Sequence, residues 1–209
     1  MLLPEKLEKP EKSEWKSFHV RPEDEKTVEQ FYTAAEAKRY AASNSMRRIQ
    51  EGLTLRAVEL MQLPAGSRVI DAGCGAGFSS VILSELCYEV FPFDVIPIFV
   101  TLCRKKGFDA KRGDVRKFPF ASLYDGIVSI SVLQWVSALG AGEVKKVARE
   151  FWKHLKTGGK AVVQFYPRDE GEAMQVGRVF KSVGFKTTVI TDNPENARKR
   201  KVFLLLVKG

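Results

Sequence analysis

The chain has 209 residues, 44% of them apolar, enough to bury a full sheet between two helix layers in one domain with a decorated end. No run approaches the ~20 apolar residues of a membrane span, MLLPEKLEKPEK is too charged for a signal peptide, and Cys74, Cys87 and Cys103 are odd in number and lack metal-ligand spacing. Membrane and disulfide-stapled classes are set aside, a cytoplasmic protein with reduced thiols and no metal is expected, and a net charge of +9 favours a polyanionic partner.

Residues 1–26 alternate Lys and Glu around Pro4, Pro10 and Pro22, and are expected to be mobile unless Trp15, Phe18 and Val20 clamp them. From Thr27 the pattern turns helical, with Val28, Phe31, Tyr32, Ala35 and Tyr40 at helical spacing. Ser45 is expected to cap a second helix whose Ile49, Leu53, Ala57, Leu60 and Met61 form an apolar face until Pro64 and Gly66 stop it. Residues 27–63 read as a helical lid ahead of a main domain at 64–209.

Arg68 to Gly77 reads RVIDAGCGAG: an apolar strand, an acid, and glycines at 73, 75 and 77. The strand delivers the Asp71 carboxylate to the mouth of a sheet, where it can accept hydrogen bonds from an amino group directly or through water. The glycines let the backbone turn tightly and approach a ligand closely. A dinucleotide fingerprint would need a glycine at 78, where Phe78 stands. The pattern is DxGxGxG, a form that holds S-adenosylmethionine. Glycine turns after strands are often only structural, so two further acids carry weight. CYEVFPFDV is a second strand ending in Asp94, about 20 residues on, where a ribose diol is gripped in nucleoside-binding α/β folds. Asp114 follows a third, short strand, where an adenine ring would lie. With their neighbours these give a candidate cofactor site of Asp71, Ala72, Gly73, Cys74, Gly75, Gly77, Asp94, Val95, Asp114, Val115, Ser129 and Ile130.

Beyond the loop the pattern predicts helix 78–86, strand 89–93, helix 97–106, a short strand around 108–112, strand 124–130, and helix 142–155 ended by Gly158 and Gly159. Strand 160–166, helix 170–182 and strands 185–191 and 201–207 follow, the last two joined by the turn DNPENARK. Strands alternating with helices predict a Rossmann-like α/β fold, a mostly parallel sheet with helices on both faces, closed by a C-terminal antiparallel hairpin. That is the arrangement of class I methyltransferases.

The acceptor is narrowed by what is missing. An Asn/Asp-Pro-Pro-aromatic turn, used on exocyclic amines, is replaced after the fourth strand by SISVLQWV, and no cysteine stands at a late strand end to attack a pyrimidine carbon. A nucleophile with an available lone pair, such as guanine N7, needs positioning rather than a general base. Gln134, Trp135 and Tyr166 suit that demand, since rings stack on bases and an amide reads an edge. For Trp135 and Tyr166 plain packing between helix and sheet stays open. The basic residues bunch at Arg104, Lys105, Lys106, Lys111, Arg112, Arg116 and Lys117 and again at Arg198, Lys199, Arg200 and Lys201. With Arg39, Arg47 and Arg48 in the lid, they form a candidate nucleic-acid surface.

FYTAAEAKRYAASNSMRRIQ, RAVELMQLP, VIDAGCGAG, FPFDVIP, SISVLQWV and VVQFYPRDEGEAMQ together resemble the small-subunit ribosomal RNA guanine-N7 methyltransferase family, known from the eukaryotic 18S enzyme, over roughly residues 21–207. The resemblance implies cofactor contact by Asp71, Gly73, Asp94 and Asp114, enclosure by the helix around Tyr40, ribosomal RNA as substrate, and a small zinc-binding activator subunit as partner. The family's eukaryotic members carry a basic tail past the last strand, whose lack here suggests an archaeal-type form. Two competing readings are a small-molecule O- or C-methyltransferase and an RNA-binding assembly factor with dispensable catalysis.

Overall fold

The computed structural model describes residues 21–209. The segment expected to be mobile, with its clamp of Trp15, Phe18 and Val20, therefore lies outside the described residues apart from 21–26. Four helices precede the first strand among the described residues: α1 (Pro22–Glu25), α2 (Val28–Phe31), α3 (Ala34–Ala42) and α4 (Asn44–Met61). Capping explains why one helical pattern is cut into pieces. Thr27 and Gln30 form a reciprocal capping box, at 3.3 and 2.9 Å, and Thr33 Oγ1 accepts the Glu36 N–H at 3.2 Å. The cap of α4 is Ser43 rather than the expected Ser45: Ser43 has extended backbone and accepts the Met46 N–H, while Ser45 already lies in the first turn.

The sheet contains β1 (Arg68–Ala72), β2 (Glu89–Asp94), β3 (Lys111–Arg112), β4 (Tyr124–Ile130), β5 (Leu155–Phe165), β6 (Lys186–Asp192) and β7 (Lys201–Val207). Between them run α5 (Phe78–Glu85), α6 (Pro97–Arg104), α7 (Leu133–Ser137), α8 (Ala141–His154) and α9 (Glu170–Val183). The order is β3-β2-β1-β4-β5-β7-β6. The first five strands are parallel, and β7 pairs antiparallel with both β5 and β6, as the alternation and the final hairpin predict. The chain leaves β1 for β2 on one side and returns to β4 on the other, so a crevice opens at the carboxyl ends of β1 and β4.

Adjacent residues of each central strand feed two cores. Val69, Val128, Val162 and Phe203 meet Leu53, Ala57 and Met61 of α4. Ile70, Ile127, Ala161 and Leu204 meet Val144, Val147 and Phe151 of α8 and Phe180 of α9. The spacing of Leu53, Ala57 and Met61 at four-residue intervals puts one stripe of α4 on the sheet. Each large side chain buried there stabilises the fold by ~1.5–3 kcal/mol. Helix α4 is thus a wall of the main layer as well as part of the lid.

Gly158 and Gly159 do not separate helix from strand. Strand β5 starts at Leu155, directly after α8, and the glycines form an irregularity inside it. Gly158 has φ 76 and donates to Lys208 O, and a Cβ on Gly159 would stand 2.8 Å from Lys156 O. The short strand expected near 108–112 shrinks to Lys111–Arg112, an edge piece pairing only Phe93 and Asp94.

Candidate cofactor and substrate site

Strand β1 carries Asp71 into the interior with no exposure. Its Oδ2 accepts hydrogen bonds from the hydroxyls of Ser79 and Ser80 at the start of α5, both at 2.6 Å, and its Oδ1 has no partner among the described residues. Burial pushes its pKa up to about 6, against the two serine bonds. At the end of β2, Asp94 accepts the Gly75 N–H at 2.9 Å and the Ile96 N–H at 2.8 Å. Burial also raises Asp94 to about 6. These bonds stitch the glycine loop to β2.

The glycines divide their work. A Cβ on Gly73 (φ 83) would lie 2.3 Å from Val132 Cγ2, so this glycine admits the turn after β4. Gly75 is the one that opens on the cavity, its nearest neighbour there being Tyr40 Cε1 at 3.9 Å. Gly77 and Cys74 face inward instead. Cys74 packs with Val100, Cys103 and Ala110, and a Cβ on Gly77 would meet Cys103 Sγ at 3.1 Å. Ala72 and Ser129 are joined to each other, Ser129 Oγ donating to Ala72 O at 2.8 Å. Of the expected cofactor residues, Tyr40, Gly73, Gly75, Asp94, Val95, Asp114, Val115 and Ile130 line a common cavity of about 1820 Å³. Ala72, Cys74, Gly77 and Ser129 lie behind that lining, and so does Asp71, which is fully buried in β1 rather than standing at the mouth of the sheet as expected.

Asp114 stands on this wall, but its carboxylate is already engaged. Arg116 donates to it from Nε at 2.9 and 3.1 Å, from a terminal nitrogen at 2.6 Å and from its backbone N–H at 2.8 Å, and reaches Glu143 at 3.0 Å. Burial alone would raise the carboxyl, yet the bonds from Arg116 together hold it below the usual range. What Asp114 and Val115 offer a ring is therefore shape and backbone.

The lid closes over the cavity with aromatic side chains. Tyr40 meets Phe78 and Phe99, with centroids 5.8 and 5.6 Å away, and Tyr32 meets Tyr40 and Phe99. Burial pushes Tyr32 up to about 12 and Tyr40 higher still. Ahead of the lid, the part of the segment expected to be mobile that is described forms α1 and is strapped to the loop after β5, where Arg21 donates to Tyr166 O at 2.9 Å and Arg168 pairs with Asp24.

Beside the glycine loop, the turns after β4 and β5 supply a wall of amides, hydroxyls and rings. Ser131 has φ 59 and gives both its N–H and its hydroxyl to Gln164 Oε1. Gln134 and Trp135 follow on α7, a short helix absent from the predicted elements. Trp135 lies 5.3 Å from the Phe31 ring and 6.0 Å from Tyr32, so it touches the lid rather than serving as plain helix-to-sheet packing. Tyr166 is 36% exposed, with Ser131 and Gln164 in reach of its hydroxyl and Lys201 Nζ 5.4 Å from its ring centre.

A methyltransferase domain family model matches residues 70–163, the span from β1 to β5 that carries the loop, Asp94 and Asp114. The 18S rRNA (guanine(1575)-N(7))-methyltransferase of Saccharomyces cerevisiae is 32% identical over 200 residues, covering 90% of this chain and 73% of that protein. The chain belongs to the 18S rRNA guanine-N7 methyltransferase family. The Mus musculus 18S rRNA (guanine-N(7))-methyltransferase is likewise 32% identical, over 90% of this chain and 72% of its own length. Among solved structures, a TehB-like S-adenosylmethionine-dependent methyltransferase from Corynebacterium glutamicum superposes with a TM-score of 0.65 at 20% identity, over 85% of this chain and 100% of that one. Magnesium protoporphyrin IX methyltransferase from Synechocystis gives 0.64 at 16%, over 86% and 93%. Likeness at that identity is one of fold.

As a member of this family the chain is an S-adenosylmethionine-dependent methyltransferase, and its residues fit that cofactor. Asp71 Oδ1 is a buried acceptor without a donor, Asp94 lines the cavity between two N–H groups, and Gly75 presents bare backbone to the same space. The basic residues of this methyltransferase separate into two sets. Arg39, Arg198 and Arg200 line the cavity, while Arg104 donates to Ala110 O, and Lys106 and Lys111 sit over the rings of Phe78 and Phe120. Arg47 pairs with Glu51, and Arg48, Lys105, Arg112 and Lys199 are exposed. No helix among the described residues is long and apolar enough to cross a membrane. Ser79, Ser80, Gln50, Ser131, Gln164, Phe31 and Arg21 belong to the site without having been singled out for it. Only the polar Ser131, between an apolar strand and LQW, carried a signal that could have been read.

Proposed function

We propose that the chain transfers the methyl group of S-adenosylmethionine to guanine N7 in small-subunit ribosomal RNA. The observation that carries this reading is the cavity wall built on the turns after β4 and β5. It offers Ser131, Gln134, Trp135, Tyr166 and Phe31, while three of the carboxylates lining the same cavity, Glu23, Asp24 and Glu36, are paired with Arg21, Arg168 and Arg39. Guanine N7 attacks with a lone pair and releases no proton, so a wall that positions and dries the base without taking a proton matches it.

S-adenosylmethionine supplies an electrophilic methyl group. Asp71, Gly73, Gly75, Asp94 and Val95 hold it, Asp114, Val115 and Ile130 shape the ring slot, and Tyr40 covers it. Gln134, Trp135 and Tyr166 place the acceptor, and Arg39, Arg198, Lys199 and Arg200 lead RNA to the mouth. The family resemblance supports one further part of the reading, a small zinc-binding activator, and the free thiols of Cys74, Cys87 and Cys103 support another, action in the cytoplasm. A zinc-containing companion retained through purification of the untagged chain is the result expected for the first.

The deciding experiment digests small-subunit ribosomal RNA to nucleosides after reaction with labelled cofactor. Label on 7-methylguanosine, with strand cleavage after borohydride and aniline, is expected. Label on a ribose oxygen, a pyrimidine carbon or an exocyclic amine rejects the reading.

Two carboxyls raised to about 6 set a pH dependence. In the free protein a raised acid adds stability below its unfolded pKa of about 3.8, and that contribution is lost as pH rises through 6. Cofactor binding runs the other way, because an ammonium and ribose hydroxyls need the charged acceptors. Calorimetric affinity for S-adenosylmethionine should be flat above pH 7 and fall by up to roughly tenfold per unit for each acid below 6, while the saturated rate stays flat across neutral pH. Affinity that is constant from pH 5 to 8 removes these acids from the site.

A further inference from the structure

Gln134 is 7% exposed, lines the cavity from α7, and leaves Oε1 without a hydrogen-bond partner among the described residues. The orientation of its amide has a cause. Nε2 donates to Ser131 O at 3.0 Å, and turning the amide over would set two oxygens against each other. Ser131 is itself fixed in left-handed backbone by its two bonds to Gln164 Oε1, at 3.1 and 2.9 Å, and by Gln50 Nε2, which donates to its hydroxyl at 3.3 Å. Gln164 is fully buried. Side chains from β5 and α4 therefore hold the turn that keeps one bare acceptor on a residue of the cavity wall. Buried acceptors are nearly always satisfied in native proteins, so a bare one on a cavity wall calls for a donor carried by the ligand.

We propose that Gln134 Oε1 accepts the N1–H of the target guanine, selecting guanine over adenine and favouring methyl transfer itself. The inference rests on the guanine-N7 reading. Guanine bears a proton at N1, whereas adenine presents a lone pair there, which would face the oxygen and leave it unpaired. The same contact strengthens during reaction. As the N7 lone pair forms the bond to the methyl carbon, the carbon–sulfur bond breaks with its electrons passing to sulfur, and the purine becomes a cation. The charge spreads through the ring and makes N1–H a better donor, so the bond to Oε1 is worth more in the transition state than in the bound substrate.

The test pairs the enzyme with ligated small-subunit ribosomal RNA that carries guanine, inosine or 2-aminopurine at the acceptor position. Inosine keeps N1–H, and 2-aminopurine has a lone pair at N1. Wild type should methylate guanine and inosine within a few-fold of each other and 2-aminopurine at least about tenfold more slowly. Gln134→Leu should slow guanine and inosine by about tenfold or more, chiefly in kcat, leave 2-aminopurine at its wild-type rate, and keep S-adenosylmethionine affinity unchanged. Equal loss on all three bases would assign Gln134 to structure and overturn the proposal. So would wild-type turnover of 2-aminopurine matching guanine, a comparison that holds even if the variant fails to fold. Wild type that leaves guanine N7 unmethylated removes the functional reading itself, a different result from either of these.

Discussion

Gly73→Ala should weaken S-adenosylmethionine binding by at least a hundredfold and lower the melting temperature. The new Cβ would lie 2.3 Å from Val132 Cγ2 on a backbone with φ 83. The left-handed conformation costs an L residue ~1–2 kcal/mol and overpacking a further ~1–3 kcal/mol. Relief requires the loop to lift from the turn after β4, which would break the bonds that Gly73 and Cys74 N–H make to Phe93 O and that Gly75 N–H makes to Asp94. The cofactor cradle and its carboxylate would then move apart. Adding Val132→Ala removes the atom struck, so the double variant should recover part of both the affinity and the melting temperature. Gly75→Ala has only Tyr40 at 3.9 Å to meet, and its stability loss should be smaller. Calorimetry and thermal melts read these effects, and a Gly73→Ala protein that binds the cofactor normally would show that the loop is not its cradle.

The order of elements was legible because the apolar periods were strong: strands at 124–130 and 201–207 stand where alternation puts them, and the helix predicted at 142–155 is Ala141–His154. The place of Asp94 on the cavity wall was legible because it closes an apolar strand, whereas Asp71 stands one residue inside β1 and is buried behind the lining. What failed to show depended on neighbours distant in sequence. Nothing local in RGDVR tells whether Asp114 faces a ligand or Arg116, and the answer needs Glu143 from α8 to hold the guanidinium. The glycine pair at 158–159 looks like a helix stop, yet its φ and its bonds to Lys208 and Lys208's own N–H are set by β7, some 50 residues on. Cys74 and Gly77 lie inside the motif but face Cys103 on α6, a packing partner the motif does not encode. The first helix of the lid was readable as helix but not as the two pieces α2 and α3, since Thr33 acts as a cap only once the chain turns at Tyr32.

Salt dependence of RNA binding should trace to Arg198 and Lys199 and not to Arg104 and Arg116. Arg198 and Lys199 stand exposed on the turn between β6 and β7, and Arg198 also lines the cavity mouth, so their charge is presented where a base must enter. Arg104 and Arg116 are tied down, the first to Ala110 O and the second between Asp114 and Glu143. A guanidinium held by two carboxylates has little net charge to offer a phosphate. Each phosphate contact contributes a slope of about 0.7–0.9 in log affinity against log salt, so Arg198→Ala with Lys199→Ala should flatten that slope by nearly two and cost roughly 20-fold in affinity at physiological salt. Arg104→Ala with Arg116→Ala should leave the slope nearly unchanged and show its effect in stability, because Asp114 then loses its guanidinium partner and Glu143 keeps only Lys146. Cofactor affinity should hold in the first pair. Fluorescence anisotropy on labelled ribosomal RNA between 50 and 200 mM salt, a range over which such contacts are resolved, separates the two. Equal flattening by both pairs would mean that RNA runs along the β3 edge as well as the cavity mouth, and the division of the basic surface would fall.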